Sequence, residues 1–102
     1  MIRRAFLMKL KPGALAEYKR NHDRIWPELV AEIKACGIAT MTIFEKDPLL
    51  MMYSEIESED AWDKLWHSEI HDRWAELMNP LMEFREDGLV DSQPVTEIFH
   101  LE

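Results

Sequence analysis

Tyr18 and His22 stand one helical turn apart in a stretch whose apolar residues recur at helical spacing, and both can exchange a proton or a hydrogen bond. An unperturbed imidazole titrates near pH ~6.5, so His22 is the natural proton carrier at neutral pH. Pro27 follows shortly after. It lacks an N–H and crowds the carbonyl of Asp23, which predicts a kink or break over residues 23–26, beside His22, where a cavity can open. The same residues allow a plainer reading, in which His22 is a core histidine satisfied by a carbonyl and Tyr18 is core with a wet tip. Trp62, Trp66 and Trp74 crowd a later helical region. Their spacing suits core packing, and an indole can also stack on the apolar face of a sugar ring. His67 and His71, four apart with Glu69 between them, have the spacing of a metal pair, but no third or fourth ligand accompanies them, so no metal is expected. The sequence contains no glycine-rich phosphate loop, nucleophile elbow or cysteine cluster.

The elements that must position these side chains alternate in type. Residues 5–11 read as a strand with Phe6, Met8 and Leu10 on one face, ended by Pro12-Gly13. Residues 14–36 read as a helix broken near Pro27 and closed by Gly37 in the position that favours a left-handed cap. A strand over 38–44, a turn at Glu45-Lys46-Asp47-Pro48 and a strand over 49–57 make an antiparallel hairpin. Ser58 is the expected N-cap of a helical region reaching Phe84 and broken near His67-Ser68. An acidic loop over 85–93 leads to a last strand over 95–101. This β-α-β-β-α-β order defines an α+β, ferredoxin-like fold, with an antiparallel sheet and helices on one face. Leu49-Leu50-Met51-Met52-Tyr53 is apolar on both faces, so the uncovered sheet face calls for a cover. A second copy packed sheet to sheet supplies it, giving a homodimer of the dimeric α/β barrel type.

The chain has 102 residues, which is one domain's worth (1–102), and twelve Lys and Arg against twenty Asp and Glu leave a net charge of −8. Nucleic-acid affinity comes largely from Lys and Arg displacing counterions, so a nucleic-acid partner is disfavoured, and anionic membranes are disfavoured for the same reason. A single cysteine, Cys36, cannot form an intrachain disulfide. No apolar run approaches the roughly 20 residues of a membrane span, and Met1-Ile2-Arg3-Arg4 passes straight into a strand pattern, so the expected location is the cytoplasm.

The residues Met1-Ile2-Arg3-Arg4-Ala5-Phe6, Glu17-Tyr18, His22-Asp23, Ile25-Trp26-Pro27-Glu28-Leu29, Glu55-Ile56-Glu57-Ser58, Trp62, Arg73-Trp74, Met78, Met82 and the ending 95–101 resemble the L-rhamnose mutarotases along nearly the whole chain. The resemblance implies a dimeric ferredoxin-like fold and an aldose 1-epimerase activity that interconverts the α and β pyranose anomers of a 6-deoxyhexose, a monosaccharide, without a cofactor. It implies that His22 is the proton-donating histidine, acting as general acid at the ring oxygen and as base on closure. Tyr18 and Trp74 match sugar-binding positions of the family, and Trp66 is a further candidate for facing the ring. Two positions depart from the pattern: Met41 stands where the family commonly has a second sugar-binding tyrosine, and Ala75 follows Trp74 where the family has a tryptophan pair. The segment 86–91 departs as well. These departures leave L-fucose open beside L-rhamnose. Two other classes remain on similar architecture: a cofactor-free monooxygenase or haem-handling protein, and a non-catalytic sugar-binding module. Fold likeness alone does not choose among them.

Overall fold

The computed structural model describes residues 1–88 and 90–102. Its elements run β1 (Ile2–Lys9), α1 (Leu15–Asp23), α2 (Pro27–Ala35), β2 (Ile38–Lys46), β3 (Leu49–Ile56), α3 (Ala61–Trp66), α4 (Glu69–Met78), a 3₁₀ turn (Asn79–Leu81) and β4 (Ser92–Val95). The four strands form one sheet in the order β2-β3-β1-β4, every neighbouring pair antiparallel. That is the ferredoxin-like arrangement expected from the element order.

Register decides which residues face the helices. Phe6 pairs with Met52, Met8 with Leu50 and Ile43 with Met52, so even-numbered side chains of β1 and β3 share one face with Met41 and Ile43 of β2. A register shift between Ile38 and Thr40 lets Ile38 also turn into the core. Leu10, Ile38, Leu50, Ile56 and Leu65 are all 2% exposed or less, each worth about 1.5–3 kcal/mol of burial. The opposite sheet face has no such cover. Phe44, Leu49 and Met51 there are 59%, 49% and 44% exposed.

Pro27 does divide the first helical stretch. Trp26 is extended (φ −67°, ψ 132°), as a residue preceding proline should be, and α2 begins with Pro27 at its first position. Gly37 closes α2 with φ +94°. The hairpin turns through a cis Asp47–Pro48 peptide.

Four boundaries differ from the sequence expectation. β1 starts at Ile2 and ends at Lys9, because its first residues pair with the end of β3 (Ile2 with Ile56). Ser58 is not the N-cap: its hydroxyl bonds the Asp60 carboxylate at 2.5 Å, and Asp60 holds the cap position of α3. The second helical region ends at Leu81, not Phe84, since Met82 and Phe84 make isolated bridges to Leu10 and Val90. The last strand is Ser92–Val95, not 95–101. Pro94 suits it because β4 lies at the sheet edge, where a missing N–H costs nothing. Residues 96–102 have no regular structure. Leu89, within the acidic loop expected over 85–93, lies outside the described residues.

Candidate functional site

The end of α1 sets His22. With Pro27 ahead, the helix cannot continue, and its last turn tightens: the N–H of Arg24 reaches the carbonyls of Arg20 and Asn21, and that of Ile25 reaches His22. The half-buried imidazole turns back along the helix, and Nδ1–H donates to the Tyr18 carbonyl at 3.0 Å. This bond assigns the neutral tautomer and leaves the lone pair of Nε2 without a partner among the described residues. Desolvation by burial lowers the imidazole pKa below its ordinary 6.5, opposed by the Tyr18 carbonyl and by Asp23. At neutral pH the ring is uncharged.

Tyr18, one turn earlier, is buried and lies against His22 with ring centroids 4.4 Å apart. Burial pushes its phenol up to about 12, so it remains a neutral hydroxyl. That hydroxyl has no bonding partner among the described residues and is free to orient a ligand.

The break at His67-Ser68 builds the facing wall. Ser68 caps α4 by accepting from the N–H of His71 at 3.3 Å, and its own hydroxyl donates to the Leu65 carbonyl at 2.7 Å. α4 then directs His71, Trp74, Ala75 and Met78 to one face at the i, i+3, i+4, i+7 spacing. Trp74 is buried and meets both His22 and Trp26 edge-on, at 5.4 and 5.2 Å. Trp66, at the end of α3, is half-exposed and packs on His71 at 4.4 Å. Trp62 is held by its indole N–H donating to the buried Ser54 hydroxyl at 3.0 Å, and Phe6 packs edge-on against it at 5.6 Å.

These side chains enclose a cavity of about 120 Å³ between the helices and the sheet face bearing Phe6, Met8 and Met52. At roughly 10–15 Å³ per water-sized group, that is the scale of one sugar ring. The lining is mostly apolar and aromatic, with the two imidazoles, Tyr18, Asn79 and Ser92 as its polar members. Such a site recognises ring faces and methyl groups by packing and fixes orientation by a few polar groups.

The structure therefore brings His22, Tyr18, Trp74 and Trp66 together, but not Met41. Met41 lies opposite Ser54 on the outer strand β2 and packs on the core, one strand removed from the cavity floor, so it is not placed to touch a ligand there. Ala75 does line the cavity. His71, weighed in sequence only as half of a metal pair with His67, belongs to this site instead. Its signal is the three-residue spacing to Trp74. His67 is exposed, on the other side of the Ser68 break, with Nδ1 bonded to the Asp63 carbonyl at 2.7 Å. No cluster of three or more metal-ligating side chains occurs among the described residues.

A family model described as L-rhamnose mutarotase matches residues 3–101. The chain is 43% identical to the L-rhamnose mutarotase of Tolumonas auensis over 103 residues, covering 99% of both proteins. It is 36% identical to that of Oceanobacillus iheyensis over 104 residues, covering 100% of both. Among solved structures, the L-rhamnose mutarotase of Formosa agariphila superposes with a TM-score of 0.86 at 31% identity, covering 100% of each chain. An antibiotic biosynthesis monooxygenase is also similar, with a TM-score of 0.64 at 17% identity over 93% of this chain and 94% of that one. So is a dimeric ferredoxin-like protein from an uncultured marine organism, at 0.62 and 17%, over 97% and 91%. At that identity the last two show the fold alone.

Proposed function

The chain belongs to the L-rhamnose mutarotase family, and we propose that it interconverts the α and β pyranose anomers of L-rhamnose, with the single domain 1–102 carrying the site. The observation that carries this reading is the neutral, half-buried His22 in a cavity the size of one sugar, its Nδ1–H tied to the Tyr18 carbonyl and its Nε2 without a partner among the described residues.

Ring opening moves a proton from the anomeric hydroxyl to the ring oxygen as C1–O5 breaks and C1=O1 forms. The aldehyde then turns about C1–C2 and recloses on its other face. The resemblance casts His22 as the acid at the ring oxygen. An uncharged imidazole must first accept a proton, so in this reading His22 instead starts as base at the anomeric hydroxyl and returns that proton on closure. A positioned group of this kind contributes roughly 10²–10⁴-fold. Tyr18 orients a sugar hydroxyl, and Trp74 and Trp66 pack on the ring and its methyl group. The chemistry asks for no metal, nucleotide or covalent intermediate.

The same reading includes a homodimer through the uncovered sheet faces, supported by the apolar residues exposed there, and a cytoplasmic location, supported by a cysteine that is free and buried. No helix among the described residues is long and apolar enough to cross a membrane.

Saturation transfer between the two anomeric proton signals of L-rhamnose measures the exchange directly. The protein should accelerate it over buffer, and His22→Ala should remove most of that acceleration while the fold survives. An exchange rate equal to buffer with the unmodified protein would overturn the proposal, and parallel runs with L-fucose and D-glucose rank the sugars.

A further inference from the structure

Opening a hemiacetal needs two proton transfers at two oxygens, and one imidazole begins with a lone pair for only one of them. Resting on the mutarotase reading, we propose that His71 is the second proton-transfer residue, the acid at the ring oxygen while His22 serves the anomeric hydroxyl.

Geometry carries the assignment. His71 lines the same cavity as His22. Trp74 of α4 meets His22 edge-on, and His71 projects from the same helix face three residues, roughly 4.5 Å of helix rise, further toward the N-terminus. The two imidazoles therefore line one cavity from its facing walls, His22 on α1 and His71 on α4. Trp66 fixes the His71 ring by edge contact at 4.4 Å. Among the described residues neither His71 ring nitrogen has a hydrogen-bond partner; only its backbone N–H is engaged, by Ser68. A structural histidine in a half-buried site ordinarily has a partner for its ring N–H. Here a ligand or water has to supply it.

The surroundings suit an acid that parts readily with its proton. His71 sits in the first turn of α4, where the helix dipole disfavours a cation. Burial also pulls its pKa below 6.5, with Asp72 opposing. The other ionisable groups lining the cavity are Tyr18 and His22 of α1. α3 presents indoles to it, while its Lys64 is exposed and paired with Asp60; on α4, Glu69 is paired with Arg73. The facing strands contribute Phe6, Met8, Met52 and Ser92, none charged.

The step balances within the pair. The anomeric O1–H proton passes to His22 Nε2, C1=O1 forms, the C1–O5 electron pair goes to O5, and an imidazolium N–H of His71 protonates O5. Closure on the other face returns the O5 proton to His71 and the His22 proton to O1. The working state thus holds one proton on two histidines, and the rate should follow a bell-shaped pH profile, falling when both are protonated and when neither is.

The test is L-rhamnose anomer exchange across pH for the unmodified protein, His22→Ala and His71→Gln. His71→Gln should lower the rate by about 10²-fold at the optimum and turn the bell into a single inflection. A rate within about twofold of the unmodified protein, with the bell intact, would overturn the role of His71 and leave the mutarotase reading standing. Absence of any acceleration by the unmodified protein removes both. Should His71→Gln misfold, imidazole NMR of the unmodified protein decides: adding L-rhamnose should shift the His71 ring signals and its titration together with those of His22, and an unmoved His71 rejects the proposal.

Discussion

At the residue scale, burial disfavours the charged form of both cavity imidazoles, and that has a cost at acid pH. His22 and His71 both have pKa values below the unfolded value of 6.5. Below that value the unfolded chain binds protons that the folded chain refuses, so stability falls as pH drops from about 6.5 toward the folded pKa values and then levels off with respect to these groups. The thermal midpoint of the unmodified protein should therefore decrease from pH 7.5 to 5.5 at fixed concentration. The double variant His22→Gln/His71→Gln should lose distinctly less over the same interval; an equal loss would assign the acid sensitivity to other groups. His22 and Tyr18 are legible in sequence because a polar pair on an apolar helical stripe beside Pro27 is a local pattern. His71 is not, because the histidine that shares its cavity lies 49 positions away and the histidine four positions before it, His67, suggests a different chemistry. The absence of Met41 from the cavity is equally illegible. Which strand lies under a cavity is settled by sheet order, and β2 is an outer strand.

At the element scale, two helix breaks make the site. The Pro27 break frees the end of α1 and sets Trp26 against Trp74; the Ser68 break starts α4 in the direction that carries His71 and Trp74 to the same cavity. Both are punctuated by residues whose effect is local, which is why sequence locates them. The ends of the second helical region and of the last strand depend on pairing between distant segments, Leu10 with Met82 and Phe6 with Pro94, which no local pattern encodes. Pro27→Ala tests the first break. Alanine releases Trp26 from its extended restriction and lets α1 run on. The stability change should be small, about 0.4–1 kcal/mol, since the proline's benefit is mainly in restricting the unfolded chain. Anomer exchange should fall by about tenfold or more, because displacing His22 by a fraction of an ångström is enough to do so. Urea unfolding beside exchange measurements separates the two effects. Loss of stability with full activity per folded molecule would show that the break does not position the site.

At the scale of the whole molecule, the two faces of the sheet have different work. One carries the helices and the cavity. The other is apolar and open, with Leu49, Met51, Phe44 and Val95 all at least 39% exposed, and exposed apolar side chains gathered on one face are the mark of an interaction surface. Beyond β4 the chain runs across this side. Arg3 of β1 holds Glu97 by a two-pronged ion pair at 2.7 and 2.8 Å, and past it Ile98, Phe99 and Leu101 are 95%, 77% and 80% exposed. An ion pair that exposed contributes little to stability; it directs the segment without accounting for three apolar side chains held in water. The proposed homodimer would account for them, since packing sheet on sheet at about 10 Å would bury both the face and the segments crossing it. If folding is coupled to that association, the thermal midpoint of the unmodified protein rises with protein concentration, by mass action. Met51→Lys places a charge in the middle of the face and should abolish the concentration dependence while sedimentation gives the mass of one chain. Because the cavity lies on the opposite side of the sheet, the Met51→Lys protein should still exchange the anomers of L-rhamnose at a temperature where it is folded. A folded, monomeric but inactive Met51→Lys protein would mean that the partner completes the site.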